Sequence, residues 1–329
     1  MPYKLLTTVE TEAWECTGYG APSVLRLIQK SLSAPKENEI LVRVHAVTVS
    51  SGDCRVRSLR LPRGFGLLGR PVLGFFKPRC GVLGSDFAGE VIAKGKAVQE
   101  FHVGDRVTGF TGTKLGCHAR HLVISIDKPL VKIPGDMSYE DVVSHTFGSI
   151  VAMHFIRKAG IKRGETVLVI GASGAVGIAF VQMCKHFGAA VTGVSRAENH
   201  DMLKELGADD VFDYRTSYLK SLATKFDVIV DAVGASTYSR LHVHLAEKGR
   251  FIAVAAELGD LVKRPHGGHK IIGGQIPLSK ADFETIIAMA SRKILRPIIG
   301  ARFVFSEIRQ AHELVDTGHK RGSVVVSVD

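Results

Sequence analysis

One stretch of the chain, residues 166–184, limits the fold more than any other. It holds about 19 residues without a charge, close to the length of a membrane-spanning helix. Its first part is β-branched, however, and three glycines interrupt it. We therefore predict a buried strand at 167–170, a glycine turn and a helix at 176–187, and no membrane span.

The chain beyond about residue 128 repeats this strand–helix pattern. Short β-branched runs predict strands at 167–170, 191–194, 211–212, 228–230 and 251–254. Between them lie predicted helices that each stop at a glycine, at 176–187, 200–206 and 236–248. Glycine often follows a helix because it accepts the left-handed backbone. This alternation is typical of an α/β fold with a doubly wound parallel sheet covered on both faces.

The first third of the chain contains many glycines and predicts mainly β-structure. Predicted strands lie at 39–49, 86–94, 105–110 and 118–126. The segment at about 55–82 is predicted to be a long irregular insertion. The end of the chain has predicted helices at 281–292 and 307–317 and a strand at 323–328. That strand has no strand–helix partner, so we expect it to return to the N-terminal β-rich part.

The charge and the cysteine content indicate which partners and which cellular compartment to expect. The 43 Lys and Arg residues exceed the 32 Asp and Glu residues, and the net charge of +11 permits an anionic partner without proving one. Five widely spaced cysteines with no C-x-x-C pair argue against a disulfide framework. The polar, acidic start of the chain is unlike a signal peptide. We therefore expect a reducing, cytoplasmic compartment.

The glycine turn predicts a dinucleotide-binding site. Its residues are Gly171, Ala172, Ser173, Gly174, Ala175, Val176 and Gly177. From Ala172 onward they follow A-x-G-x-x-G, with alanine at the first glycine of the common G-x-G-x-x-G fingerprint. Gly174 lets the backbone approach a pyrophosphate, and Gly177 lets the helix pack tightly on the strand. Free N–H groups and the helix dipole then face the phosphates.

Two other interpretations of the turn are open. It could be a tight strand–helix turn without a ligand. It could also carry a hydrolase nucleophile, because Ser173 lies at a strand–helix corner as in the G-x-S-x-G elbow. Ala175 stands where that motif needs its last glycine, which argues against a hydrolase.

The next strand end predicts which nicotinamide cofactor binds. About 20 residues beyond the turn, an NAD site places Asp or Glu on the ribose 2′-hydroxyl. Here Ser195 and Arg196 follow the strand, and a hydroxyl with a guanidinium suits a 2′-phosphate. The prediction is NADP. A solvent-exposed Arg196 without a ligand is the alternative, and Glu198 is near enough to keep NAD open.

Eight short motifs carry a resemblance to a known family. In chain order they lie at 47–53, 83–91, 103–107, 171–177, 206–209, 213–215, 231–234 and 318–322. With these motifs the chain resembles the medium-chain dehydrogenase/reductase superfamily, in its zinc-free quinone oxidoreductase-like branch. The motifs run in family order over nearly the whole chain.

The resemblance implies a Rossmann doubly wound sheet inserted into a GroES-like, β-rich catalytic domain, with the active cleft at their junction. The predicted division is a first catalytic part at 1–126, the NADP-binding Rossmann domain at 127–278 and a return segment at 279–329. It also implies a small-molecule substrate and a homodimer.

The resemblance assigns further cofactor contacts. Tyr214 joins Ser195 and Arg196 around the 2′-phosphate, whereas Asn199 stands where the branch often has a lysine. The strand ends that line the ribose and nicotinamide correspond to Val233, Gly234, Ala255 and Ala256.

The sequence predicts no metal site. Zinc members of the superfamily have Cys where Ser50 stands and His-Glu where Ser85 and Asp86 stand, and serine is a poor zinc ligand. Three histidine pairs occur: His118 with His121 on a predicted strand, His242 with His244 on a predicted helix, and His266 with His269 around a Gly-Gly loop. The first two pairs diverge, and the third alone supplies too few ligands.

These features predict hydride transfer from C4 of NADPH to the β-carbon of an enone or to a quinone. An alcohol or aldehyde oxidoreductase is the alternative, less favoured without zinc ligands to polarise a carbonyl. Ser50 and Asp53 are the predicted polar substrate contacts, and Phe147 is a predicted apolar wall. A loop-anchoring role for Asp53 and a core role for Phe147 are open, and no general acid is assigned.

A basic segment at 55–79 suggests a second hypothesis, a binding role. Between Asp53 and Asp86 lie seven basic residues and no acidic one: Arg55, Arg57, Arg60, Arg63, Arg70, Lys77 and Arg79. Phe65, Phe75 and Phe76 are interleaved with them. Such a segment could bind RNA or an anionic surface, or simply be a solvated lid beside the cleft. No RNA-binding motif accompanies it, so nucleic acid is disfavoured.

Overall fold

Two β-sheets and a separate two-stranded ribbon organise the described part of the chain. A computed structural model describes residues 8–61, 66–135, 137–216, 218–222, 224–255, 265–277 and 279–328. Among these residues, no helix is both long and apolar enough to cross a bilayer. The uncharged stretch at 166–184 forms a buried strand, a turn and a helix, as predicted.

The described residues form fifteen β-strands and ten α-helices. The described strands are β1 (Thr8–Cys16), β2 (Leu25–Ser33), β3 (Glu39–Thr48), β4 (Asp86–Lys94), β5 (Arg106–Phe110), β6 (His121–Ser125), β7 (Leu130–Lys132), β8 (Thr166–Ile170), β9 (Ala190–Ser195), β10 (Asp210–Asp213), β11 (Phe226–Asp231), β12 (Leu245–Ala253), β13 (Lys270–Ile272), β14 (Ile299–Val304) and β15 (Ser323–Ser327). The described α-helices are α1 (Ser51–Ser58), α2 (Gly66–Leu73), α3 (Tyr139–Ser144), α4 (Thr146–Ala159), α5 (Ala175–His186), α6 (His200–Glu205), α7 (Tyr218–Ser221), α8 (Tyr238–Leu241), α9 (Lys280–Ser291) and α10 (Ile308–Asp316).

The six-stranded sheet is parallel and has the strand order β10-β9-β8-β11-β12-β13. The chain builds outward from β8 to β10, then crosses back to β11 and builds outward in the other direction. The central residues Val167, Leu168 and Val169 have no exposed surface, because neighbouring elements cover both faces. This arrangement confirms the predicted doubly wound sheet, and its order is that of dinucleotide-binding folds.

The seven-stranded sheet joins the two ends of the chain. Its order is β14-β15-β3-β4-β5-β7, and β6 also pairs with β3. The closing strand β15 pairs with β3 in antiparallel fashion, so the strand returns to the N-terminal β-rich part as expected. The ribbon of β1 and β2 is a further antiparallel pair that we did not predict from the sequence.

Close packing of two helices fixes the helix that follows the glycine turn. Gly148 on α4 lies against the first turn of α5, and a Cβ atom added at Gly148 would lie 2.4 Å from the carbonyl oxygen of Ala175. A side chain there would push the two helices apart, since real Cβ atoms do not approach an oxygen so closely. The start of α5 therefore has a defined position relative to α4.

The prediction of an irregular segment at 55–82 is wrong. Helix α1 begins at Ser51 and α2 lies within the segment. A capping box explains α1: the Ser50 hydroxyl accepts from the Asp53 N–H, and the Asp53 carboxylate accepts from the Ser50 N–H. Satisfying two free N–H groups in this way is enough to start a helix in a basic sequence.

Two predictions about the histidine-bearing segments are also corrected. The helix predicted at 236–248 is only α8 and a 3-10 turn at His242–His244, and β12 begins at Leu245. Gly249 is buried within that strand and does not end a helix, and it is Lys248 before it that takes the left-handed conformation at φ +59°. His118 precedes β6 and does not lie on it.

Candidate active site

The glycine turn places an open helix N-terminus at the edge of the parallel sheet. After β8, Gly171 takes φ +76°, which favours glycine, and the N–H groups of Gly171 and Ala172 both donate to Val194 O at 3.0 Å. Helix α5 then starts from its N-cap residue Gly174, which has no side chain with which to cap it. A helix start with positive partial charge is thus left for an anion.

The two inner glycines of the turn have different surroundings. A Cβ atom added at Gly177 would lie 2.2 Å from Gly171 O and 2.6 Å from Ala172 Cα. One added at Gly174 would meet nothing closer than Gly171 O at 3.6 Å. Gly177 therefore serves the contact between helix and strand, while Gly174 leaves open space above the backbone, as the motif predicts.

The structure brings Arg196 and Tyr214 together at the end of β9. The Arg196 Nε donates to the Tyr214 hydroxyl at 2.8 Å, and both side chains reach solvent. The Arg196 Nη1 lies 3.6 Å from Glu198 Oε1. Ser195, in contrast, is buried, and its hydroxyl donates to Arg196 O at 3.0 Å. Ser195 therefore supports the loop, and its hydroxyl is engaged within the protein.

Sequence reasoning missed a second arginine beside this pair. Arg215 forms ion pairs with Asp213 at 2.6 Å and with Glu198 at 3.4 Å. Glu198 thus lies between the guanidinium groups of Arg196 and Arg215. The two carboxylates offset the two guanidinium charges, so an added phosphate competes with Glu198 for Arg196.

A buried aspartate organises the loop after β11. Asp231 accepts hydrogen bonds from the backbone N–H groups of Val233, Gly234, Ala235 and Ser236, at distances from 2.7 to 3.2 Å. The loop therefore holds Val233 over Gly171, where a Cβ added to the glycine would lie 2.5 Å from Val233 Cγ1. A Cβ on Gly234 would lie 3.3 Å from Ala255 Cβ. Val233, Gly234 and Ala255 thus meet beside the turn, whereas Ala256 lies outside the described residues.

The closing segment of the chain docks on the glycine turn. Gly322 N–H donates to Ser173 O at 2.8 Å, and a bridge joins Gly174 with Gly322. Lys320 Nζ donates to Gly322 O at 2.7 Å, and burial lowers the pKa of Lys320 to about 8. Arg321 Nε points at Met202 Sδ, 3.0 Å away. Lys320 and Arg321, two cations missed from the sequence, therefore directly precede the residue that docks on the predicted phosphate turn.

The predicted substrate-side residues lie at the starts of α1 and α4. Asp53 Oδ2 accepts from the Ser50 hydroxyl at 2.6 Å, and its Oδ1 accepts from Gly84 N–H at 2.9 Å. Phe147 packs near this corner, since a Cβ on Gly52 would lie 3.7 Å from its ring. Ser50 and Asp53 are both buried. Their anchoring role is visible, and their contact with substrate stays a prediction.

The donor set at the zinc-equivalent positions does not fit zinc. Ser50 is engaged by Asp53, and both carboxylate oxygens of Asp86 accept from the Thr48 hydroxyl at 2.8 Å. In the described part of the chain, no three His, Cys, Asp or Glu side chains converge as metal ligands. His269 Nδ1 lies 3.0 Å from the Tyr238 hydroxyl, and this contact holds the loop that carries His269 in place. We therefore derive no step through a metal.

Asp86 gives the stability of the protein a testable pH dependence. Burial raises the pKa of this carboxyl from 3.8 to about 7, and the charge of Asp53 adds to the shift. Between these two values the folded chain keeps a proton that the unfolded chain loses, so stability falls as pH rises. We expect Asp86→Asn to gain stability relative to wild type across this window, on the order of 2 kcal/mol.

Urea unfolding of both proteins at a series of pH values measures this difference. The amide can keep a hydrogen bond with Thr48, so the variant tests the charge and not the shape of the site. A difference in free energy of unfolding that stays flat, or that turns in favour of wild type as pH rises, contradicts the assignment.

Comparison with known proteins points to one family. The family model of the alcohol dehydrogenase GroES-like domain matches residues 36–135, and that of zinc-binding dehydrogenases matches residues 206–326. The chain is 30% identical to the quinone oxidoreductase of Sus scrofa, over 93% of this chain and 93% of that protein. It is 28% identical to the 2-methylene-furan-3-one reductase of Solanum lycopersicum, over 96% of this chain and 79% of that protein.

A solved structure agrees with these relatives. The quinone oxidoreductase from Coxiella burnetii superposes with a TM-score of 0.87 at 27% identity, and the match covers 98% of this chain and 100% of the other. The two chains thus share one fold over nearly their whole length. The chain belongs to the medium-chain dehydrogenase/reductase superfamily, in its quinone oxidoreductase-like branch, and is a nicotinamide-dinucleotide-dependent oxidoreductase.

Proposed function

We propose that this chain is a zinc-independent, NADPH-dependent oxidoreductase that transfers hydride to a quinone or an α,β-unsaturated carbonyl compound. The observation that carries the cofactor choice is the Arg196–Tyr214 pair beside an uncapped helix N-terminus. The acceptor class rests on the relatives, which include a quinone oxidoreductase and a 2-methylene-furan-3-one reductase.

The turn and the closing segment would hold the pyrophosphate. Gly174 leaves the backbone open to it, and the helix dipole of α5 favours its charge. Lys320 and Arg321 lie beside the turn because Gly322 is bonded to Ser173. Their positive charges would offset the two negative charges of the pyrophosphate.

Arg196 would recognise the 2′-phosphate. Tyr214 engages its Nε, which fixes the plane of the guanidinium and leaves the terminal nitrogens for a bidentate contact. The Glu198 side chain would have to rotate away from Arg196, because its carboxylate pairs with the same guanidinium group and would repel a phosphate.

The loop held by Asp231 would position the nicotinamide, which supplies the hydride when bound. Val233, Gly234 and Ala255 form a mostly apolar corner there, with little bulk between the ring and the backbone. Ser50 already donates to Asp53 and accepts from its N–H, so it cannot donate to a substrate carbonyl without breaking that pair. We therefore assign the one proton that completes the reduction after hydride transfer to solvent, with Phe147 proposed as an apolar wall.

The donor chemistry at Ser50 and Asp86 described above supports the proposed zinc independence. A quinone or an enone accepts hydride at a carbon already made electron-poor by its carbonyl, so it needs less polarisation than a simple ketone. Alcohol oxidation, the alternative, would need a Lewis acid or an equivalent group.

Loss of NADPH absorbance tests this function directly. Purified protein should oxidise NADPH in the presence of quinones or enones, at a rate that a metal chelator does not change. Simple alcohols with NADP⁺ should give little turnover. Oxidation of alcohols that is lost with a chelator would contradict the proposal and favour a zinc alcohol dehydrogenase.

Three further points stay predictions. They are the domain division at 126/127 and 278/279, the homodimer and the cytoplasmic location. The first gains support from β15, which pairs with β3 although nearly the whole chain separates them.

A further inference from the structure

The structure exposes a compact group of aromatic, aliphatic and basic side chains that the proposed function does not use. This aromatic–basic patch comprises Arg70, Val72, Phe75, Phe76, Lys77 and Arg79, on the end of α2 and the loop after it. Val72 is 65% exposed, Phe75 60% and Phe76 89%. Large apolar side chains this open to water and next to one another mark an interaction surface.

The patch is held in shape by the chain beneath it. Gly74 takes φ +128°, and its carbonyl accepts from the Tyr19 hydroxyl at 2.8 Å. Arg79 donates to Pro71 O at 2.8 Å, and its backbone N–H donates to Leu73 O at 2.7 Å. Arg70 donates to Phe75 O. The two phenylalanines are therefore presented by a braced turn, and their exposure does not come from an unanchored loop.

The same contacts leave the patch positively charged. Within the described residues, Arg70 and Arg79 bond to neutral carbonyl oxygens and have no carboxylate partner. Lys77 pairs with Glu15 at 3.1 Å. The sequence places no acidic residue between Asp53 and Asp86, so nothing nearby on the segment offsets the two arginines. The complementary surface is apolar at its centre and anionic around it.

We propose that the aromatic–basic patch docks on an anionic lipid surface, with Phe75 and Phe76 entering the headgroup region. Aromatic rings favour that interface, and each basic residue near it gains from the negative surface potential. Single-stranded RNA also uses basic and aromatic groups, but Val72 offers no ring for a base to stack on. Docking on a lipid surface is a binding role separate from the proposed hydride transfer. It does not depend on which hydride acceptor the protein uses.

Vesicle sedimentation tests the docking. Wild type is mixed with vesicles of phosphatidylcholine and phosphatidylglycerol, and with vesicles of phosphatidylcholine alone. We expect binding to the anionic vesicles that weakens at high salt. Phe75→Ser with Phe76→Ser should reduce it by about tenfold or more. The control is Val103→Ser with Val243→Ser, which removes apolar groups that are 52% and 58% exposed elsewhere and should bind as wild type.

Several results would overturn the proposal. They are equal binding by wild type and the phenylalanine variant, equal binding to neutral and anionic vesicles, and no binding to either. Binding of polyuridine without vesicle binding would assign the patch to RNA. A phenylalanine variant that is monomeric where wild type is dimeric in light scattering would assign the patch to a second copy of the chain.

A spectroscopic variant checks the depth of the contact. The chain has one tryptophan, Trp14, which is buried. Phe76→Trp should therefore add an emission that shifts to the blue on anionic vesicles and is quenched by brominated lipid. Emission that stays that of a water-exposed indole while the protein is bound to vesicles would contradict entry of this position into the lipid.

Discussion

Gly174→Ala is expected to weaken NADPH binding at least about tenfold and to leave the fold intact. Among the described residues the added methyl group meets nothing closer than 3.6 Å, and Gly174 has φ −81°, which alanine adopts freely. The methyl would occupy the space in which the pyrophosphate approaches the backbone. Titration of NADPH by fluorescence and thermal unfolding of the same sample measure the two effects separately.

Gly177→Ala is the matched variant three residues away, and it should behave in the opposite way. Its methyl carbon would lie 2.2 Å from Gly171 O, so helix and strand must move apart. We expect a loss of about 1–3 kcal/mol in stability and a lower melting temperature. If Gly174→Ala binds NADPH as wild type does, or if it unfolds as early as Gly177→Ala, the division of labour within the turn is wrong.

Arg196→Ala is expected to raise the dissociation constant for NADPH by roughly 10- to 100-fold and to leave that for NADH nearly unchanged. The only chemical difference between the two cofactors is the 2′-phosphate, and Arg196 is the cation that Tyr214 holds at the end of β9. The ratio of the two constants is the informative quantity, because damage to the shared part of the site would weaken both cofactors together.

Glu198→Gln serves as the companion variant for this measurement. Removing a carboxylate 3.6 Å from the Arg196 Nη1 should raise the preference for NADPH several-fold, since the phosphate no longer competes with an anion. Equal losses of NADPH and NADH in Arg196→Ala, or no change of preference in Glu198→Gln, would remove Arg196 from the 2′-phosphate site.

The sequence predicts the parallel sheet well because its evidence is local. Strands β8, β9 and β11 are short apolar runs, and the closely spaced glycines at 171, 174 and 177 mark the turn between β8 and α5. The prediction for residues 236–248 is wrong because a glycine after an amphipathic stretch predicts a helix end, whereas Gly249 is part of a strand. A left-handed Lys248 carries no sequence pattern that reveals it.

The parts of the site that come from distant residues could not be found from spacing alone. Gly322 lies on Ser173, and Asp231 ties four successive backbone amides into a loop. The first contact depends on how the two sheets are placed together, and the second depends on the backbone conformation of the loop after β11. The capping box of Ser50 and Asp53 was visible as S-x-x-D, and reading it as a helix start would have corrected the prediction for the basic segment.

Isothermal titration of the purified wild-type protein with NADPH and with NADH tests the central claim most directly. We predict saturable binding of one NADPH per chain, at least about tenfold tighter than NADH, as one well-placed charged contact supplies. Equal affinity for the two would contradict the role of Arg196. No binding of either would contradict the nucleotide site at the glycine turn and, with it, the proposed reaction.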